Sequence, residues 1–403
     1  MTQTAAKNIS PNASDLKGLI QRHSAALSAQ LQAHHASVFP PHSEKGIRSF
    51  TPAETSKLVG IGEGYLRQIA AEMPNLTASQ SAGRRAYSVE DIHELRKHLD
   101  QGSRGGRRYL PHRRGDEELQ VIAVMNFKGG SGKTTTAAHL AQFLALRGYR
   151  VLAIDLDPQA SLSALYGHQP EIDVGPNETL YGAIRYDEPR PIAEIVRATY
   201  IPDLHLIPGN LELMEFEHDT PRALMKRQTG DTLFFARIGQ AIAQAQNLYD
   251  VVVIDCPPQL GYLTLSALTA ATSVLVTVHP QMLDVMSMNQ FLAMTGDLLE
   301  EISVAGARSD YNWMRYLVTR FEPSDGPQNQ MVAFLRSIFS EHVLIHPMLK
   351  STAVSDAGLT NQTLFEVERG QFTRATYDRA LESMNNVNAE IESLIKKAWG
   401  RAV

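Results

Sequence analysis

VMNFKGGSGKTTTAAHLAQFL, Val124 to Leu144, begins as an apolar strand, passes through a glycine-rich loop carrying two lysines, and continues as a helix. Strand, glycines, Gly-Lys-Thr and helix in that order form a phosphate-binding loop. Gly129, Gly130 and Gly132 let backbone N–H groups converge on phosphate oxygens, and the helix adds the positive end of its dipole. Lys133 is placed to reach the β- and γ-phosphates and the Thr134 hydroxyl to ligate Mg2+, with Ser131 and Thr135 in the same cradle. The expected cofactors are therefore ATP or ADP and Mg2+. The loop departs from the common GxxxxGK[ST] pattern, because Phe127 stands where the first glycine belongs and Lys128 follows it. A lysine at that end of the loop projects toward a nucleotide. Across two protomers meeting face to face it reaches the partner's phosphates, supplying charge in trans as an arginine finger does.

Around this loop the chain from Leu119 onward alternates apolar, β-rich runs with helical patterns: QVIAVMNF, RVLAIDLD, LHLIPG, YDVVVIDCPP, SVLVTVHP and MRYLVTRF. Near-continuous Val, Ile and Leu, rather than alternation with polar residues, marks strands buried on both faces of a parallel sheet. The predicted fold is α/β, a doubly wound and mostly parallel sheet. Carboxylates at the carboxyl ends of such strands lie beside the bound phosphates. Asp157, just past the strand that follows the loop's helix, is the candidate for handling the attacking water, whereas Asp155 reads as a structural strand-end residue. Asp255 ends another strand and is the candidate Mg2+ partner, directly or through water; Cys256 beside it reads as core filler.

The preceding third of the chain has a different character. From Asn12, Leu16, Leu19, Ile20, Leu27 and Leu31 recur at helical spacing, predicting an amphipathic helix whose stripe packs on a second subunit. Thr51-Pro52-Ala53-Glu54 is a capping box with proline at the first helical position, opening a helix to about Val59. After a turn at Gly60 and Gly62, EGYLRQIAAE turns Leu66, Ile69 and Ala70 inward and Tyr65, Arg67 and Gln68 outward. A glycine turn with Arg84 and Arg85 follows, then a helix capped by Ser88 and Asp91. This is a helix-turn-helix with a possible wing: Tyr65, Arg67 and Gln68 face the major groove and Arg84 and Arg85 suit the phosphates. Basic residues, Arg48, Arg96, Arg113 and Arg114 among them, outnumber acids from Glu44 to Arg114 although the whole chain carries -5, so the module is expected to face nucleic acid. The domains expected are a tail and dimerisation helix (1–40), the helix-turn-helix (44–100), a basic linker (101–118) and the nucleotide-binding body (119–403).

KGGSGKT resembles the signature of the deviant Walker A ATPases, and among them the chain is similar to the ParA partition proteins. VLAIDLDPQAS matches their second motif, VVVIDCPP their Walker B, and LIPGNLEL, LVTRF and STAVSDAG extend the likeness over most of residues 119 to 380. LFEVERGQFTRATYDRA, with the amino-terminal helix-turn-helix, resembles the long members carried by repABC plasmids. The resemblance implies catalytic roles for Lys128, Lys133 and Asp157 and a metal set of Thr134, Asp157 and Asp255. It also puts the segment of Thr319, Arg320, Phe321 and Pro323 near the adenine. It implies an ATP-dependent homodimer that binds DNA nonspecifically, a ParB/RepB-type centromere-binding partner that stimulates hydrolysis, and repression of its own operon. Lys350, Arg374 and Arg379 are candidates for the nonspecific contacts.

With 43% hydrophobic and 20% charged residues, the 403-residue chain has an ordinary globular balance. No apolar run approaches the ~20 residues that span a bilayer, and one cysteine excludes a disulfide framework, so a cytoplasmic protein is expected, and the resemblance implies that it associates with the nucleoid. Two rivals remain: a repressor that only senses nucleotide, and a MinD-like ATPase using NVNAEIESLIKKAWGRAV to hold a membrane. For that last segment, packing on the body is the favoured expectation, since Glu390 and Glu392 dilute its basic face.

Overall fold

The computed structural model describes residues 16–38, 45–73, 76, 79–81, 84–103, 109–126, 128–226, 228, 230–307 and 310–402. The readings at residues 1–11, Gly83, Arg104, Arg107, Arg108 and Phe127, and at the side chains of Leu31 and Arg84, lie outside what it describes. The chain forms two compact units, 1–45 and 46–403. In the first, helix α1 (Leu16–Val38) leaves Leu16, Ile20 and Leu27 of its apolar stripe exposed among the described residues.

The second unit opens with the three-helix module. Thr51 caps α2 (Pro52–Val59) in a reciprocal box with Glu54, and Gly60 ends the helix at φ 78°, a left-handed conformation glycine adopts without strain. Helix α3 (Glu63–Glu72) buries Leu66, Ile69 and Ala70 and exposes Tyr65, Arg67 and Gln68, as its periodicity predicts. Strands β1 (Ser79–Ser81) and β2 (Arg84–Ala86) pair antiparallel as a two-stranded ribbon where the wing was expected, with Arg85 exposed, and the Ser88/Asp91 box opens α4 (Val89–Gln101).

All six sequence-predicted strands are present: β3 (Gln120–Met125), β4 (Val151–Asp155), β6 (Leu204–Ile207), β7 (Val251–Asp255), β8 (Ser273–Val278) and β9 (Trp313–Val318). A seventh, the two-residue β5 (Arg197–Ala198), pairs antiparallel with β6, and its brevity left no periodic signal. The order β5-β6-β4-β7-β3-β8-β9 has parallel pairing everywhere else. Alternate residues feed two cores, Ile122 and Val124 on one face of β3 and Val121 and Met125 on the other. Helix α5 (Lys133–Leu146) and the carboxy-terminal helix Arg374–Ala398 cover the first face; Val387, Ile391, Ile395 and Trp399 of the latter are buried in that core. The apolar face considered for membrane contact is thus spent on packing.

The same core runs without a break into the three-helix module, joining Leu66, Ile92 and Leu95 to Leu140, Leu144 and Tyr149. Here the reading of the basic segment needs correction, because three of its arginines are structural. Arg96 is buried and donates to the carbonyls of Leu58 (2.5 Å) and Leu146 (3.3 Å), at the carboxyl ends of α2 and α5, and to Tyr109 O (2.9 Å). Carbonyls left unpaired at two helix ends accept a cation well, so this arginine fastens the module to the body. Arg48 is held by Glu54 and Tyr377, and Arg113 by the Tyr249 and Glu117 carbonyls. Charge counted along a sequence cannot tell such residues from a DNA-facing surface.

Candidate phosphate-binding site

Strand β3 delivers the loop to the carboxyl edge of the sheet, and Asn126 fixes its start by donating to Thr277 O (2.5 Å) and accepting from Lys128 N (3.0 Å). Gly130 and Gly132 take φ of 76° and 86°, turning successive N–H groups into one concavity. A Cβ on Gly132 would only reach van der Waals contact with Thr319, at 3.4 Å, so it is the left-handed φ that calls for glycine there. Thr319 Oγ1 donates to Ser131 O (2.7 Å), Thr277 Oγ1 to Ser131 Oγ (3.0 Å) and Arg320, itself at φ 52°, to Gly130 O (3.2 Å). The loop is thereby braced from β8 and β9. Phe321 pairs with the 348–350 segment through Met348 O (3.0 Å) and Lys350 N (2.9 Å), and the Pro323 carbonyl takes Asn329 (2.8 Å). Of the four residues expected near the adenine, Thr319 and Arg320 thus touch the phosphate loop, and Phe321 and Pro323 follow them in the same segment after β9.

Lys133 is buried at the start of α5, its Nζ 3.3 Å from Lys128 O; burial lowers its pKa, opposed by Asp255 and Asp157. Thr134 and Thr135 follow on the helix's first turn. Asp155 is fully buried and accepts from Ser163 N and Oγ (both 2.7 Å); burial pushes it up to about 7 despite those bonds. That is the structural role its position predicts. Asp157, nearly buried, accepts from Gln159 N (2.9 Å). Asp255 is fully buried and neither of its oxygens makes a hydrogen bond of normal geometry, although the Thr134 hydroxyl lies beside it. Burial and then Asp155 raise its pKa well above the usual carboxylate range, while Thr134 and Lys133 pull it back. A carboxylate in that position is stabilised by a cation, and the hydroxyl of Thr134 beside it completes a hard oxygen set suited to Mg2+. The donor set and the glycine cradle fit a magnesium-bound polyphosphate. Cys256 is buried and its thiol is pushed up by burial, in keeping with a filler role.

Two residues were missed. Lys128 forms an ion pair with Asp284, a buried residue of the helix Met282–Val304, and His279 Nδ1 lies 3.1 Å from the other Asp284 oxygen. His279 follows directly on β8, the strand beside β3, and strand-end position next to the phosphate loop was the available signal. The DNA candidates are scattered rather than gathered. Tyr65, Arg67, Gln68 and Arg85 are exposed on α3 and the wing, and Arg379 is exposed on the carboxy-terminal helix. Arg374 lies 3.9 Å from Asp378, and Lys350 is paired with Glu322 at 3.0 Å, beside the phosphate loop's brace.

Comparison with known proteins agrees with this architecture. A family model described as an AAA domain matches residues 119–304. A "Putative replication protein A" of Rhizobium rhizogenes is 77% identical over 96% of this chain and 96% of its own length. Protein SopA of Escherichia coli K12 is 28% identical over 89% of this chain and 92% of its own. A solved structure described as "Partition Protein" superposes with a TM-score of 0.59 at 18% identity, covering 91% of this chain and 97% of that one, which speaks to the fold.

Proposed function

Because the chain belongs to the ParA family of partition ATPases, in the branch of repABC-type plasmids, we propose that it is a switch in which ATP and Mg2+ assemble a DNA-binding homodimer. The observation that carries this reading is the convergence of Lys128, Lys133, Thr134, Asp157 and the buried Asp255 at one strand edge. The backbone of Gly129 to Gly132 and Lys133 hold the β- and γ-phosphates. Thr134 and Asp255 would hold Mg2+, with Asp157 within the same set, and the ion would supply positive charge to offset that developing on the phosphates. Asp157 orients the attacking water and accepts its proton. Lys128 reaches across the dimer to the partner's phosphates, completing each site only when two protomers meet. Thr319, Arg320, Phe321 and Pro323 border the base.

In this reading the basal hydrolysis is weak and Mg2+-dependent, and DNA and a ParB/RepB-type centromere-binding protein accelerate it. The exposed Tyr65, Arg67 and Gln68 with Arg84 and Arg85 of the wing bind the operator of the protein's own operon. Arg374, Arg379 and Lys350 supply nonspecific backbone contact, and the stripe on α1 pairs with a second copy. ATP favours partition, and ADP or the nucleotide-free state favours repression. No helix among the described residues is long and apolar enough to cross a membrane, and the burial of the carboxy-terminal apolar face supports action on the nucleoid rather than at a lipid surface.

The test is ATP turnover with and without DNA and the cognate centromere-binding protein, for wild type and Asp157→Ala. Turnover raised by both ligands and lost in the variant, with ATP-dependent DNA binding kept, is the expected result. Operator binding without stimulated turnover would instead identify a repressor that only senses nucleotide.

A further inference from the structure

The LFEVERG segment and the Tyr377 that follows it have no part in nucleotide chemistry, yet they stand between the phosphate loop and the helix-turn-helix. Thr135, one residue past the candidate metal ligand, offers its carbonyl to His139 Nδ1 at 2.7 Å. His139 Nε2 accepts from Leu364 N at 3.1 Å. Since a backbone N–H only donates, this imidazole is neutral with its proton on Nδ1, and burial, lowering its pKa to about 4, keeps it so. The Leu364 carbonyl accepts from Tyr377 OH at 2.9 Å, and Tyr377 OH accepts from Arg48 Nε at 3.0 Å. Arg48 then grips both oxygens of Glu54, at 2.6 and 3.3 Å. Glu54 is the closing member of the α2 capping box, accepting from Thr51 N at 2.9 Å.

We propose that this hydrogen-bonded chain, Thr135–His139–Leu364–Tyr377–Arg48–Glu54, is the link through which the nucleotide state of the phosphate loop sets the position of α2, and hence operator affinity. The proposal rests on the function proposed above and names how its two activities are coupled.

Three features make the chain a coupling element rather than ordinary packing. Every interior link is shielded: His139, Leu364 and Tyr377 are buried, and the Arg48 side chain is 8% exposed. Water therefore cannot replace a broken link, and a shift at one end is felt at the other. The segment is clamped beside the chain as well, since Thr363 Oγ1 donates to Gln142 on α5 at 2.6 Å. At the far end Arg48 is bracketed by its own module, because Phe50 exchanges two 2.8 Å backbone bonds with Tyr87 at the end of the wing. A displacement of the first turn of α5 on nucleotide binding thus moves Leu364 with His139, and Arg48 with Tyr377.

The measurement is the ratio of affinities for the DNA upstream of the protein's own gene in ADP and in a non-hydrolysed ATP analogue, by fluorescence anisotropy. It is made for wild type, Tyr377→Phe and Arg48→Lys. The first variant removes one hydroxyl that serves two links and keeps the ring; the second keeps the charge facing Glu54 and loses Nε. The expected result is a nucleotide-dependent ratio in wild type that falls by about 5-fold or more toward one in both variants, with ADP and analogue affinities of the free protein unchanged. By reciprocity, the effect of that DNA on nucleotide affinity shrinks equally. A wild-type ratio preserved in both variants overturns the link alone. A ratio of one in wild type overturns the nucleotide-selected repression on which it rests.

Discussion

Asp284→Asn isolates the restraint on Lys128. In the single chain Lys128 is held by Asp284, whose side chain is 8% exposed, while the lysine itself is 44% exposed. If Lys128 acts on the partner's nucleotide, this pair must open in each protomer as the dimer forms. A half-exposed pair is worth about 1 kcal/mol, well below the cost of breaking a fully buried one. Two pairs per dimer oppose assembly by about 2 kcal/mol, roughly 30-fold in the dimerisation constant. The amide keeps the shape and a hydrogen bond to His279 but releases the lysine. In an Asp157→Ala background, expected from the proposed role of Asp157 to hold ATP without turnover, sedimentation equilibrium should show the Asp284→Asn chain dimerising at roughly 30-fold lower concentration. Unchanged or weaker ATP-dependent dimerisation would refute the reasoning, because it would mean that Asp284 is neutral toward assembly or supports it.

Asp155 and Asp255 have pKa values raised by burial, so the folded protein binds their protons more tightly than the unfolded chain. The stability these two groups contribute without nucleotide is fully present below about pH 4 and is lost as pH rises through about 7, where Asp155 gives up its proton, while the buried neutral His139 opposes them below about pH 6.5. The thermal midpoint should be higher at pH 5.5 than at 7.5, with Mg2+ and nucleotide narrowing the gap; a flat profile would count against it. Gly132→Ala imposes about 1–2 kcal/mol of left-handed strain. Calorimetry should show ATP affinity down by about tenfold or more. Arg96→Ala removes a buried guanidinium serving three carbonyls and should lower the unfolding free energy by about 3 kcal/mol in urea, where a loss under about 1 kcal/mol would demote its fastening role.

Much of this molecule is legible locally. The glycine loop, both capping boxes, the inward and outward faces of α3 and six of seven sheet strands follow from residue order, because backbone freedom, capping and side-chain period act over a few residues. The strand-end aspartates follow too, since a doubly wound sheet presents its carboxyl edge to ligand. The structure then divides them: Asp155 is consumed by Ser163, whereas Asp255 is left without a hydrogen bond of normal geometry.

What the sequence determined by itself is the set of elements and the chemistry of the phosphate loop, because each is encoded by neighbours in the chain. Only the tertiary structure decided what each charge does. Arg48 and Arg96 are ordinary basic residues until Glu54, Tyr377, Leu58 and Leu146 are brought to them. Lys128 and Asp284 stand far apart in sequence and meet only because β3 and β8 are adjacent. Burial and pairing across long sequence separations depend on the packed arrangement of the whole chain, and no local pattern carries them.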